Sequence, residues 1–443
     1  MLYDNLLLDL KERFEGEFDK IPQAINAEYK LSNILMCGFA LFALKDASLL
    51  KFIKRFKVRA NNLKTIFHIN QSPSDTVIRT HIDEIETKEL KKLFKPYILE
   101  LDNQGILKNY EYLENYLYIP MDGTGYFSSK KINCDCCLET HHQNGEITYS
   151  HKALCACIVS PKESIVFPVA IEDISKTDGE TKNDCETNAA KRLIPQILLT
   201  IGKDRDILFG GDAIYGSGPM LKELQKEQQK RKGKIQFIFN AKPGSHKYLF
   251  EQFKEKELNS EIETHIYKTK KHKYVTKYCN NLIINKSHLG ILVNFLYFEE
   301  HDLKTGKIKV FSWITDIPIK KENYTKLVKI GRSRWKIENN TINTLKNQGY
   351  NFEHNFGHSL PRNLGGKKNL SANFAVLMFL AFLFDQIQQS KNRFFRMAKT
   401  AAGSYKNLWN DILSIFDRIE VPSMEVIYKI IAKIIKLKVQ LII

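Results

Sequence analysis

The sequence predicts a mixed α/β layer framed by helical regions, and three observations carry that expectation. Apolar residues recur at helical spacing through residues 1–112, as in Leu31, Ile34, Leu35, Cys37 and the run from Phe39 to Leu44. From Leu113 short apolar strands alternate with helix-period segments, the pattern of a mixed sheet with helices on both faces. Helical texture returns at Lys320 and continues to the C-terminus.

The elements follow in chain order. In "SPSDTVIRTHIDEIETKELKKLF" the residues Ser72, Ser74 and Asp75 offer helix caps, so residues 1–112 read as a helical DNA-binding or dimerising region. Tyr116 to Met121 is the first strand. "KALCACIV" and "SIVFPVAI" form a hairpin turned by Ser160, Pro161 and Lys162. "DCETNAAKRLIPQILLTIG" is a helix with Asp184 as its N-cap and Gly202 at its end. "DILFGGDAIYGSG" is a buried strand entering a Gly-rich loop, followed by a helix from Pro219 to Lys230 and the strand "KIQFIFNAK". Residues 113–256 are thus the first part of a core. Residues 257–314 form a β-rich insertion whose last hairpin turns at Lys304, Thr305 and Gly306. Residues 315–390 complete the core, and 391–443 form a helical C-terminal region.

Charge narrows the function. Against 50 acids stand 67 Lys and Arg, a net charge of +17, which favours a polyanionic partner such as nucleic acid or an anionic membrane surface. The start, "MLYDNLLLDLKERF", lacks the order of a secretory signal. The apolar run from Phe374 to Phe384 is about half a bilayer span and is followed by Asp385, so a buried helix is expected. Eight cysteines in a large chain of this kind suggest reduced thiols or metal ligands. A soluble, cytoplasmic protein is the expectation.

Two apolar strands each end on a carboxylate. "YIPMDGTG" places Asp122 after a run built for burial, and "ILFGGD" does the same with Asp212. Asp-Gly alone reads as a turn, but ligands gather where the strands of an α/β sheet end. A third acid, Glu338, lies in "GRSRWKIENNTINTLKNQGY". On an α-helix it falls within an apolar stripe of Trp335, Ile342 and Leu345, with Arg334 one turn earlier. An Arg334–Glu338 surface pair would be the plain alternative. Three such acids have the chemistry to hold Mg²⁺, which takes hard oxygen ligands and keeps several waters.

Together, "MDGTGYFSSKK", "NGEITYSHKAL", "TKNDCETNAAKRL", "AKPGSHKYLF" and "RWKIENNTINTLKNQGYNFEHNFGH" resemble a bacterial insertion-sequence DDE transposase over residues 118–390. The resemblance implies an RNase H-like core with a β-rich insertion before the Glu helix. It places the catalytic, metal-binding triad on Asp122, Asp212 and Glu338. It further implies Mg²⁺- or Mn²⁺-dependent nicking and strand transfer on double-stranded DNA, by a homodimer or larger assembly, in the nucleoid. Arg334 and Glu338 fit that branch's Tyr-Arg-Glu-Lys signature. Its Tyr and Lys positions hold Gly331 and Leu345, with Lys346 one place late as a DNA-binding candidate. A silent, DNA-binding descendant and a nuclease that cuts without joining are the rival readings.

Two further clusters stand out. "CDCCLETHH" sets Cys134 and Cys137 at zinc-knuckle spacing, and His141, His142 or His151 could complete a structural Zn²⁺ site. Cys155 and Cys157 share one strand face and read as buried apolar residues. "HIYKTKKHKYVTKY" interleaves Lys268, Lys270, Lys271 and Lys273 with tyrosines, a pattern suited to phosphate contacts and base stacking. Lys242 and Lys247 are similar candidates.

Overall fold

A computed structural model describes residues 2–21, 28–176, 185–360 and 365–434. It opens with helices α1 (Tyr3–Glu17), α2 (Leu31–Ala43), α3 (Leu49–Arg55), α4 (Ala60–Phe67), α5 (Asp75–Glu84), α6 (Thr87–Lys91) and α7 (Phe94–Asn103). Ser74 caps α5 as its sequence position suggests, accepting from the Val77 amide. The whole of α2 is buried, which its all-round apolar sequence requires.

The central sheet starts with β1 (Glu111–Tyr112), the long β2 (Tyr116–Ser129), β3 (Leu138–His141), β4 (Ile147–Ile158) and β5 (Phe167–Ile174). Next come α8 (Glu186–Ile201), β6 (Ile207–Gly211), α9 (Gly218–Gln228), β7 (Ile235–Asn240) and α10 (Lys247–Leu258). Cys185 occupies the N-cap of α8, and Gly202 ends it with φ 92°. Asp184, the expected cap, lies outside the described residues.

The insertion is a meander of β8 (Glu263–Lys268), β9 (His272–Ile283), β10 (Leu292–Asp302) and β11 (Ile308–Thr315). It is not a separate sheet: β11 pairs with β7, Trp313 opposite Asn240 and Thr315 opposite Ile238. One mixed sheet of 11 strands results, in the order β3-β4-β2-β6-β7-β11-β10-β9-β8, with β5 on β4 and β1 on β2.

The chain closes with α11 (Tyr324–Arg332), a π-helical stretch (Ile337–Ile342), α12 (Asn343–Asn347), α13 (Leu370–Lys391), α14 (Arg393–Ala402), α15 (Tyr405–Arg418) and α16 (Met424–Ile431). Helix α13 is apolar and long enough to cross a membrane, but 89% of that window is buried inside the protein. It is the core helix against which α2 and β5 pack. The two ends of the chain are joined there by a buried ion pair, Lys45 Nζ to Asp385 at 2.5 Å. Asp385 also accepts from the Tyr350 hydroxyl at 2.5 Å, and Lys45 lies over the Tyr350 and Trp409 rings. Breaking one partner of such a pair is costly because the other charge is left buried.

Where β11 ends, burial pushes the Asp316 carboxyl up to about 7, although it accepts a hydrogen bond from the Phe237 amide. An unfolded Asp titrates near about 4, so the folded state keeps this proton between about pH 4 and its own raised value. Its contribution to stability is therefore full in acid and lost as pH rises from about 4 to about 7. Asp316→Asn should remove that slope from a plot of thermal midpoint against pH. An unchanged profile would show that the group titrates normally.

Candidate active site and a cysteine–histidine cluster

The two aspartates are neighbours through strand pairing. β2 runs parallel to β6, with Leu117 opposite Ile207 and Pro120 opposite Gly210. Asp122 and Asp212 each lie two residues beyond the last of these pairs, Asp122 still within β2 and Asp212 just past the end of β6, so two residues far apart in sequence take matching positions along the two strands. On its other edge Asp122 pairs with Cys155 of β4.

Both acids are half-buried, and each meets a cation. Arg334 donates to Asp122 at 3.1 Å. Burial nevertheless raises the Asp122 carboxyl above its ordinary value; Arg334 opposes this, while the charges of Glu338 and Glu186 reinforce it. Asp212 accepts from Lys242 at 2.9 Å and Asn240 at 3.3 Å. Burial pushes it up too, but the hydrogen bonds from Lys242, the Ala213 amide and Asn240 outweigh this and hold it below the ordinary value.

Glu338 reaches the site differently from its expected place in an apolar stripe. The backbone is π-helical over Ile337–Ile342, and the wider turn breaks the 3.6-residue phase. Ile342 and Leu345 are buried as expected, but Trp335 is 48% exposed and does not belong to their stripe. Glu338 is exposed, within electrostatic reach of Asp122. Arg334 takes Asp122 as its partner, not the surface pairing with Glu338.

A fourth acid, Glu186, emerges only in three dimensions. It opens α8, where the helix dipole favours a negative charge. Its carboxylate packs directly against Gly123, in the space a Cβ there would occupy. Tyr215 donates to Glu186 at 3.4 Å, and burial followed by the charges of Glu186, Asp122 and Asp212 pushes its phenol well up. The only sequence signal for Glu186 was an acid in the first turn of a helix.

The oxygen donors of Asp122, Asp212, Glu186 and Glu338 are of the hard type that Mg²⁺ or Mn²⁺ takes, but no three of these acids bring their oxygens within 4.8 Å of one another, so the expected convergence of Asp122, Asp212 and Glu338 is not seen. Of the basic candidates, Lys242 is engaged with Asp212, and Lys346 of α12 pairs with Glu353 at 2.8 Å. Lys247 is exposed at the start of α10. Lys268, Lys270 and Lys271 are exposed at the tip of the β8–β9 hairpin, with Lys273 partly so. Lys268 stands directly opposite Lys273 in the ladder, and Tyr267 stacks on Tyr274 one pair further in. Like charges facing each other across strands are destabilising, a cost that a bound anion would relieve.

The tightest ligand geometry lies elsewhere. Among the described residues, the one group of three or more His, Cys, Asp or Glu with ligand atoms all within 4.8 Å is Cys134, Cys137, His151 and His358. The sulfurs are 3.8 Å apart, and each lies 3.4 Å from His151 Nε2. His358 Nδ1 is 3.3 Å from the same nitrogen. Of the three histidines considered from sequence, only His151 belongs. His141 is exposed beside Glu139, and His142 bonds Thr148 on the outer hairpin. His358 lies 207 residues beyond His151, too far for any spacing motif to reveal. Cys155 and Cys157 are fully buried, as their strand pattern suggests.

Compared with protein-family models and with curated proteins, the chain matches none.

The charges around Asp122 give a direct test. Glu186→Gln should lower its pKa and Arg334→Met should raise it, read by carboxyl carbon NMR titration. An Asp122 titration unmoved by both changes would mean that neither group faces it.

Proposed function

We propose that this protein is a DNA transposase of the DDE type, which nicks DNA and transfers strands at the ends of its element. The observation that carries the reading is the matched placement of Asp122 and Asp212, each two residues beyond the Pro120–Gly210 pair of the parallel strands β2 and β6, with Glu338 in electrostatic reach of Asp122. The order β5-β4-β2-β6-β7, antiparallel among the first three and parallel among the last three, supports an RNase H-like core.

In this reading Asp122, Asp212 and Glu338 hold Mg²⁺ or Mn²⁺, with Glu186 beside them. Such ions activate water and stabilise a leaving 3′-oxygen. The chain's own part is to place charge. Arg334 and Lys242, which pair with the two aspartates, are the cations placed to meet the phosphate of a strand that such a site would cut. The basic hairpin tip holds duplex at a distance from the acids, and a homodimer brings two ends together. The sulfur and imidazole set of Cys134, Cys137, His151 and His358 suits Zn²⁺ as a second, separate metal.

Asp212→Asn should abolish nicking of end-containing DNA in Mg²⁺ while binding survives, because it removes a metal ligand and no phosphate contact. A variant that still cuts at the wild-type rate would overturn the mechanism, and a wild type that binds but never cuts would favour a silent descendant.

Replacing Lys268, Lys270, Lys271 and Lys273 by Ala should weaken binding to any duplex and flatten its salt dependence. Each lost phosphate contact reduces the slope of log K against log salt by about 0.9. An unchanged slope would leave this hairpin as a solvated edge.

A further inference from the structure

The cysteine–histidine group joins two parts of the chain that the candidate chemistry needs together. Cys134 and Cys137 lie in the turn that follows β2, the strand of Asp122, and His151 lies on β4 opposite Phe127 of β2. His358 comes from the segment between the Glu338 helix and α13. Its ring packs edge-on against Phe127, with centroids 4.4 Å apart.

We infer that Cys134, Cys137, His151 and His358 bind one Zn²⁺ as a clamp, which positions the Asp122 strand against the segment that follows Glu338. A tetrahedral ion with Zn–S of about 2.3 Å and Zn–N of about 2.0–2.1 Å needs S–S, S–N and N–N edges of about 3.8, 3.5 and 3.4 Å. The corresponding separations are 3.8, 3.4 and 3.3 Å. The four ligands close the coordination shell, so this zinc holds structure and leaves no position for substrate.

Hydrogen bonding is a poor substitute for an ion here. His151 Nε2 is surrounded by two sulfurs and an imidazole nitrogen, yet one ring nitrogen offers a single proton or a single lone pair. A cation at the centre satisfies every partner at once. The knuckle is shaped for it: Cys137 N–H donates to the Cys134 carbonyl at 3.0 Å, and Cys134 N–H points at the Cys137 sulfur at 3.4 Å.

The far side of the clamp is anchored as well. Next to His358, Ser359 donates to Asp83 at 2.6 Å, and Asp83 also accepts from the Asn369 and Leu370 amides at the start of α13. Cys136 donates to the Lys368 carbonyl at 3.5 Å. Thus α5, the start of α13 and the β2 hairpin meet around the four ligands, and zinc is the bond that spans them.

The positioning role rests on the DNA-cleavage reading, whereas the zinc assignment does not, and the experiment separates them. Purified full-length protein should carry about one zinc per chain. Exchange for Co²⁺ should give the visible bands and thiolate charge-transfer absorption of a tetrahedral S₂N₂ site. His358→Ala and the Cys134→Ser/Cys137→Ser double variant should lose the metal and melt at lower temperature. His358→Cys should keep zinc, and His141→Ala with His142→Ala should change nothing. In cleavage assays His358→Ala should lower kcat by about tenfold or more, with the KM for DNA little changed, and His358→Cys should restore it. Should a variant fail to fold, wild-type protein stripped of zinc, freed of chelator and assayed with Mg²⁺ alone and with Mg²⁺ plus Zn²⁺ gives the same readout. Protein free of zinc, or variants that retain it, would overturn the assignment. Full kcat in zinc-free protein would overturn the positioning role. Zinc-dependent stability without cleavage by any form would leave the zinc standing and overturn the DNA-cleavage reading together with the positioning role.

Discussion

Strand β2 is hydrogen-bonded on both edges, to β4 antiparallel and to β6 parallel, and this double pairing governs the rest of the structure. A strand held on both sides cannot slip by one residue without turning its whole side-chain set over to the other face. The level of Asp122 relative to Asp212, its pairing with Cys155 and the placement of the cysteine turn beyond Ser129 all follow from that register. Gly123, next to Asp122 on this strand, is where the Glu186 carboxylate approaches the backbone.

The site built on this strand is crowded with negative charge and balanced by few cations. Asp122 and Asp212 share the same residue type and a similar position, yet their carboxyls shift in opposite directions. For Asp122, burial and two neighbouring acids outweigh one guanidinium. For Asp212, a lysine, an amide side chain and a backbone N–H outweigh burial. A divalent cation would answer the first imbalance, and the electropositive remainder of the protein supplies attraction for a polyanion at longer range. The two kinds of charge are spatially divided, with acids around the central strands and exposed lysines on the outermost hairpin.

The insertion connects these two regions. By pairing β11 with β7 it continues the sheet that holds the acids, so the lysine-bearing tip is mechanically continuous with the site. Arg332, at the end of α11, ties to Glu300 of β10 at 2.6 Å and lies over the Phe298 and Phe311 rings. Two residues later Arg334 meets Asp122. A short stretch of chain therefore touches both the insertion and the candidate site.

By itself the sequence determined what depends on neighbours in the chain. Apolar spacing, caps and turn residues were enough for helix α2, the burial of α13, the β4–β5 hairpin, the Gly202 end of α8 and the turn at Lys304, Thr305 and Gly306, because those signals act over a few residues. The strand that stops just before Asp212 and the pairing of Cys134 with Cys137 were legible for the same reason, whereas the strand expected to stop at Asp122 runs on to Ser129, held there by its backbone pairing with β4. Only the tertiary structure decided which distant groups meet. Glu186 joins the acids because α8 points its first turn at Gly123, and His358 displaces His141 and His142 because its segment folds back over the β2 hairpin. The exposure of Trp335 was hidden from a periodicity argument, since a π-helical turn is a local departure from the 3.6-residue repeat on which such an argument rests. The sheet likewise joins the insertion to the core through backbone hydrogen bonds, whose partners no side-chain pattern specifies.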